Sequence, residues 1–370
     1  SKAFNFDILF LIFLCGIFLD NFILMIIFAL FYFLLSYIYY NKLKKEQIKK
    51  PLVITARVKR LLITLFILYL IPVVVFSVIY NENNLMNYYL IMGFLVFINY
   101  IVVLIANTIN KPIEKMVANY YKVKATNKLK SFNNLDVIGI TGSYGKTSSK
   151  NILADILNIK YNALPTPKNF NTPLGLIITI NNYLDKFNDY LIAEMGAFKR
   201  GEIKELCDLV HPKYGILTKI GSAHLDSFGS QENIMKGKFE LIESLPKDGV
   251  GILNKDDELQ RKYQLKNDCQ IIWIGIDYKD ADVWADNIKL SYTGTTFDVH
   301  FKQDKNKYEF ETKLLGKHNI YNILAAIALG KYLNIDIKKL QVAVKRVRPI
   351  EHRLELKKFN DINIIDDAYN

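Results

Sequence analysis

Residues 137–153, VIGITGSYGKTSSKNIL, run a short apolar strand through Gly142 and Gly145 into Lys146, Thr147 and a helix with Ile152, Leu153, Ile156 and Leu157 at helical spacing. Strand, glycine loop and helix in direct succession is the context of a phosphate-binding loop. The glycines let backbone N–H groups turn toward phosphate oxygens, and the helix N-terminus adds partial positive charge. Lys146 suits β/γ charge, Thr147 suits magnesium, and Ser143 and Ser148 flank them. The spacing is G-x-x-G-K-T, shorter than the common form, so the six residues alone would also suit a structural turn. Their flanking strand and helix favour nucleotide.

The same alternation continues downstream. YLIAEMG (190–196), YGILTKIG (214–221), GVGILN (249–254) and QIIWIGI (270–276) read as buried strands separated by helical stretches. Short apolar runs alternating with helices specify a mostly parallel sheet covered on both faces. Glu194 and His224 fall at or just past strand C-terminal ends, where ligands gather in open α/β sheets. From 283 to 315 the pattern becomes polar-apolar alternation with YTGTT as a turn, which predicts an antiparallel hairpin at the sheet edge. HNIYNILAAIALGKYL then reads as a helix.

The first 108 residues are different in kind. The chain is 51% hydrophobic, and nearly all of the excess lies there. Runs at 22–40, 61–80 and 88–107 approach the roughly 20 residues that cross a hydrocarbon core as helix, and a shorter run at 6–19 precedes them. The reading is a unit of about four transmembrane helices. The link 41–60 carries Lys42, Lys44, Lys45, Lys49, Lys50, Arg57, Lys59 and Arg60 against Glu46, whereas NENNLMN at 81–87 has no base. Basic loops stay cytoplasmic, so the expected location is a membrane, multi-pass, with the later domain in the cytoplasm. The formal charge of +12 clusters beside these runs, which assigns it to membrane lipid and topology and excludes nucleic acid as the partner. At 109–134, Ile113, Met116, Val117, Tyr120 and Tyr121 form one stripe behind Pro112. That is either a basic amphipathic helix on a membrane surface or a helix packed on the following domain. Cys15, Cys207 and Cys269 form no CxxC pair, so neither a disulfide framework nor a zinc ribbon is expected.

TGSYGKTS, NFNTPLG (169–175), EMGAFKRGEI (194–203), IGSAHLDSFGSQENI (220–234), LNKDD (253–257), GKHNIYNILAA (316–326) and IIDDAYN (364–370) appear in that order. Together they resemble the motifs of the Mur ligases, most of all the type that adds D-alanyl-D-alanine to a UDP-N-acetylmuramoyl-tripeptide. The resemblance covers 136–370 and implies ATP-dependent amide synthesis. The γ-phosphate passes to a carboxylate of the peptidoglycan precursor, and the amine of D-Ala-D-Ala displaces it. It further implies that Lys146 grips the γ-phosphate and that Thr147 and Glu194 hold Mg2+. His224 and Lys238 match a second metal site, where the family's lysine is carbamylated; an ammonium cannot ligate a hard cation that wants oxygen donors. Asn319 and Asn322 match an adenine-contacting pair, although Asn319 also suits helix capping. Arg353 matches a phosphate contact, and Asp367 an acid near the ribose.

The expected layout is transmembrane helices at 1–108, a linker helix at 109–134, the ATP-binding α/β domain at 135–350 and, at 351–370, the start of a truncated further domain. In this family a soluble domain usually precedes the ATP-binding one. Apolar runs in its place raise a lipid-linked acceptor, and membrane cell-wall enzymes as partners, as alternatives. The other readings kept open are a different Mur-type ligase and an ATP-binding membrane scaffold. A transporter ATPase is disfavoured, because no apolar strand ending in Asp-Glu and no signature loop is evident.

Overall fold

The computed structural model describes residues 53–80, 98–291, 294–351, 353–359 and 362–368, with isolated positions at 30, 34, 37, 38, 41 and 94. The chain divides into two compact units, Ser1–Tyr120 and Tyr121–Asn370.

In the first unit, helix α1 (Ala56–Tyr80) and the opening of α2 (Asn99–Lys130) are joined by polar pairs. Arg60 donates from Nε and Nη2 to Glu114 Oε1 at 2.9 and 2.7 Å. Asn110 Nδ2 donates to Thr64 Oγ1 at 2.9 Å, and the Tyr69 hydroxyl to Asn99 Oδ1 at 2.6 Å. Residue numbers falling on one helix as they rise on the other make the pair antiparallel. The sequence pattern suits Pro112 to the first turn of a helix, but it lies inside the continuous α2. Its fixed φ suits a helix, and the continuous element gives up one backbone hydrogen bond.

The expected multi-pass membrane location is corrected here. Among the described residues one helix, Ala56–Ile79, is long and apolar enough to cross a membrane, where a multi-pass arrangement needs a series. The lipid and membrane-enzyme partners were expected from that location, and one such helix gives them no support. The run at 6–19, most of 22–40 and the first part of 88–107 lie outside the described residues.

The second unit alternates strands and helices: β1 (Asp136–Thr141), α3 (Lys146–Leu157), β2 (Ala163–Pro165), α4 (Pro173–Asn182), β3 (Tyr190–Glu194), α5 (Glu202–Val210), β4 (Tyr214–Leu217), α6 (Leu225–Phe228), α7 (Gln231–Glu243), β5 (Val250–Asn254), α8 (Glu258–Lys262), β6 (Gln270–Gly275), β7 (Val283–Ser291), β8 (Gly294–Phe301), β9 (Asp304–Thr312), α9 (Lys317–Tyr332), α10 (Ile337–Arg346), β10 (Glu355–Phe359) and β11 (Ile362–Asp366). The large sheet has the order β2-β3-β1-β4-β5-β6-β7-β8-β9. From β2 to β7 every pairing is parallel, and β8 and β9 add an antiparallel edge. The expected hairpin is thus a three-stranded extension whose first strand still runs parallel to its neighbour. Gly294, Thr295 and Thr296 of the expected turn belong to β8.

Alternate strand residues feed opposite faces. Ile138, Ile140 and Ile192 pack with α3, α9 and α10, whereas Val137, Leu191 and Ala193 pack with α4, α5 and α7. Ala125 and Leu129, from the last turns of α2, join the second cluster. The stripe expected on that helix is not what is buried: Ile113, Met116, Tyr120 and Tyr121 are exposed. The chain crosses from β3 on one side of β1 to β4 on the other, so β1 is the point where strand order reverses. In open sheets of this kind a crevice forms at the carboxyl end of that strand.

Candidate functional site

The crevice is floored by the glycine loop. β1 ends at Thr141, and Gly142 follows with φ +149°. A Cβ there would lie 1.9 Å from Thr218 Oγ1, so this position excludes other residues. Gly145, at φ +81°, caps α3 in the left-handed conformation that glycine adopts without penalty. Ser143 fastens the loop to the segment after β4. Its N–H donates to Lys219 O at 2.7 Å, and its hydroxyl accepts from Gly221 N at 3.0 Å. Thr218 Oγ1 donates to Tyr144 O at 2.6 Å.

Lys146 folds back over this loop, donating to Gly142 O at 2.8 Å and Ser143 O at 3.4 Å. Burial pulls its ammonium below the ordinary lysine value; Glu194 opposes the shift, and Arg353 adds to it. Thr147 Oγ1 donates to Glu194 Oε1 at 3.2 Å. Asn171 Nδ2 donates to the same oxygen at 3.2 Å. Lys150 Nζ lies 3.2 Å from Glu194 Oε2, and Lys150 and Glu194 are each 1% exposed. Burial lowers the Lys150 ammonium too, while the charge of Glu194 resists. A threonine hydroxyl and a buried carboxylate oxygen side by side at a phosphate-type loop form a hard-oxygen donor set. It suits Mg2+, whose remaining ligands are normally water and phosphate.

His224 and Lys238 form a second group. His224 sits at φ +65° ahead of α6, with its ring edge-on to Phe198 at 4.6 Å between centroids. Burial lowers its imidazole value, and the charges of Lys238 and Lys146 lower it further. Lys238 is buried in α7, donates to Ala197 O at 3.2 Å and has its ammonium 5.4 Å from the Phe228 ring centre. Burial, then repulsion from Lys146, pulls its value down to about 8. Among the described residues no group of three or more His, Cys, Asp or Glu side chains would hold a metal. As an unmodified amine, Lys238 does not fit a cation.

Two cavities flank Gly145. One, of about 300 Å³, is lined by Tyr144, Thr218, Asp256, Tyr321 and Asn322 among others. The other, of about 140 Å³, brings together Ser148, Asn319, Arg353 and Asp367. Asn319 does not cap its helix through the side chain: its amide donates to Leu315 O at 2.8 Å, and Gly316 stands at the cap. Asn322 Nδ2 is 3.5 Å from Asn319 Oδ1. Asp367 Oδ1 accepts from Leu354 N at 3.2 Å. Asp256 accepts from the Ile276 and Asp277 N–H groups and from the Tyr321 hydroxyl. Burial pushes its carboxyl up, but these bonds and the Tyr278 N–H outweigh it and hold it below the usual range.

Sequence reasoning therefore named the loop residues and Glu194 but missed Lys150, Asn171, Asp256 and Tyr321. Asn171 and Tyr321 stand inside motifs quoted above, and Lys150 lies three residues beyond Thr147, on the same helix face.

The family model for the Mur ligase middle domain matches residues 140–330. The UDP-N-acetylmuramoyl-tripeptide--D-alanyl-D-alanine ligase of Bacillus subtilis (strain 168) is 35% identical over 236 residues, covering 63% of this chain and 50% of its own. Its counterpart in Escherichia coli (strain K12) is 30% identical, with 63% and 52% covered. Among solved structures, MurF from Acinetobacter baumannii superposes with a TM-score of 0.63 at 27% identity, covering 68% of this chain and 55% of that one. MurF ligase from Thermotoga maritima in complex with ADP gives 0.61 at 27% identity, with 68% and 57% covered. The chain spans about half the length of the curated relatives it matches.

Proposed function

Because the chain belongs to the Mur ligase family, we propose that it handles ATP for an amide-forming ligase that adds D-alanyl-D-alanine to a UDP-N-acetylmuramoyl-tripeptide in peptidoglycan precursor synthesis. The observation that carries this reading is the meeting of the glycine loop, Lys146 and the Thr147–Glu194 pair at the carboxyl ends of β1 and β3. The names of the relatives supply the substrates.

The loop N–H groups and the start of α3 receive phosphate oxygens. Lys146 exchanges its carbonyl partners, Gly142 and Ser143, for the γ-phosphate, against which its charge is worth more than against a neutral acceptor. Thr147 and Glu194 would hold Mg2+, which would supply neutralisation of phosphate charge. Lys238, once its neutral amine has added carbon dioxide and lost a proton, offers an anionic oxygen beside His224. An amine value near 8 keeps a useful neutral fraction for that addition. Asn319 and Asn322 meet the adenine, Arg353 a phosphate and Asp367 the ribose. The acceptor carboxylate takes the γ-phosphate and becomes an acyl phosphate, and the incoming amine expels inorganic phosphate. Catalysis of this kind rests on positioning and charge.

The test is phosphate release by the complete protein with ATP, Mg2+, UDP-muramoyl-tripeptide and D-alanyl-D-alanine. Release should require both acceptor and amine, and should fall roughly a thousandfold in Lys146→Ala. Release that ignores the acceptor, or that survives in the variant, overturns the reading.

A further inference from the structure

Lys150 has no part in the scheme above, yet it is paired with the carboxylate at its centre. Lys150 and Glu194 are each 1% exposed, and Nζ stands 3.2 Å from Oε2. The other oxygen, Oε1, accepts from Thr147 and Asn171. The two oxygens are thus sorted: one faces the glycine-loop threonine, and the other, buried without a hydrogen-bond partner, has an ammonium 3.2 Å away. Lys150 also donates to Lys168 O, in the loop that carries Asn171, so the same ammonium orders the segment that completes the carboxylate's surroundings. Lys168 holds a left-handed φ of +48°. A buried charge must be paired, and this pair is close to neutral as a unit.

Neutrality has a consequence for cation binding. Mg2+ and Mn2+ are held by one or two carboxylates together with phosphate oxygens. A single carboxylate already offset by an ammonium offers them little net charge. We propose that Lys150 cancels the charge of Glu194 until nucleotide arrives, so that the site accepts its divalent cation as the nucleotide complex and not as the free ion. This rests on the reading of Glu194 as a cation ligand. Lys150 acts through Glu194 and is a positioning residue.

Mn2+ binding to the full chain, followed by electron paramagnetic resonance with and without a non-hydrolysable ATP analogue, tests this. The wild type should bind Mn2+ only with the analogue present. Lys150→Met should bind free Mn2+ at least about tenfold more tightly than the wild type, because an uncompensated buried carboxylate is left to attract it. Lys150→Arg should behave as the wild type, and Glu194→Gln added to Lys150→Met should abolish the gain. A structural role alone would lower stability without creating affinity. Wild-type protein that binds free Mn2+ as well as it does with the analogue overturns the inference by itself, even if Lys150→Met fails to fold. So does a folded Lys150→Met with no gain. Wild-type protein that binds no Mn2+ with the analogue overturns both this inference and the nucleotide reading beneath it.

Discussion

Lys238 shows how a single buried side chain sets a pH dependence. Its folded-state value is pulled to about 8 from an ordinary 10.5, burial being the larger cause. Both states are protonated below pH 8, and the burial cost there is constant at about 3 kcal/mol. Between 8 and 10.5 the unfolded chain binds more protons, so this contribution to stability rises with pH across that window. Lys238→Met should therefore stabilise the unmodified protein in urea unfolding near neutral pH, and the gain should shrink toward pH 10. A gain that stays constant with pH would refute the assignment. Carbamylation has the same sign, since it needs the neutral amine. A carbamate carbonyl signal in 13C-bicarbonate should grow as pH rises through about 8 and be absent from Lys238→Met. At this scale Gly142, Lys146, Thr147 and Glu194 were legible, because few residue types do their work and the flanking strand and helix narrow the choice. Lys150 was not: a lysine on a helix reads as a solvated charge. Its burial depends on Glu194, which arrives from a strand that only folding brings beside it.

Among the elements, the loop between β1 and α3 tolerates little change. Gly142→Ala combines a left-handed φ with a clash against Thr218 Oγ1, a hydroxyl held by Thr141 O and Tyr144 O. It should cost roughly 2–4 kcal/mol in denaturant unfolding. Gly201, at φ +90° with open space around its Cβ position, is the control, and Gly201→Ala should cost about 1 kcal/mol. Equal losses at the two sites would mean that the close approach to Thr218 carries no weight. The buried strands were legible as apolar runs bounded by turns and helices. β2 was not, being a short strand, Ala163–Pro165, with a proline at its end. The continuity of α2 through Pro112 was also hidden, because proline at the start of a helix and proline inside one leave the same local pattern.

The second unit as a whole is a sheet whose order reverses at β1, with its candidate groups gathered at one end. A ligand bound there should stabilise the folded state by mass action. Mg-ATP at a hundred times its dissociation constant should add about 2.7 kcal/mol, read as a raised melting temperature, and Lys146→Ala should lose that rise. A rise retained in the variant would place the nucleotide elsewhere. The apolar runs before residue 108 show the reverse limit: composition and length suggested a series of spans, and one described helix meets that standard. Hydropathy measures what a segment tolerates around it, not what surrounds it.

By itself the sequence determined the mostly parallel α/β class, the phosphate-type loop and the family resemblance. These rest on local periodicity and on residue types with few substitutes. Tertiary structure alone decided which strands flank β1, that Lys150 faces Glu194, and that Asn319, Arg353 and Asp367 share one cavity with Ser148. Each of those is a contact between residues distant in the chain. Such contacts follow from the packing of whole elements, and a linear pattern records only the faces available for it.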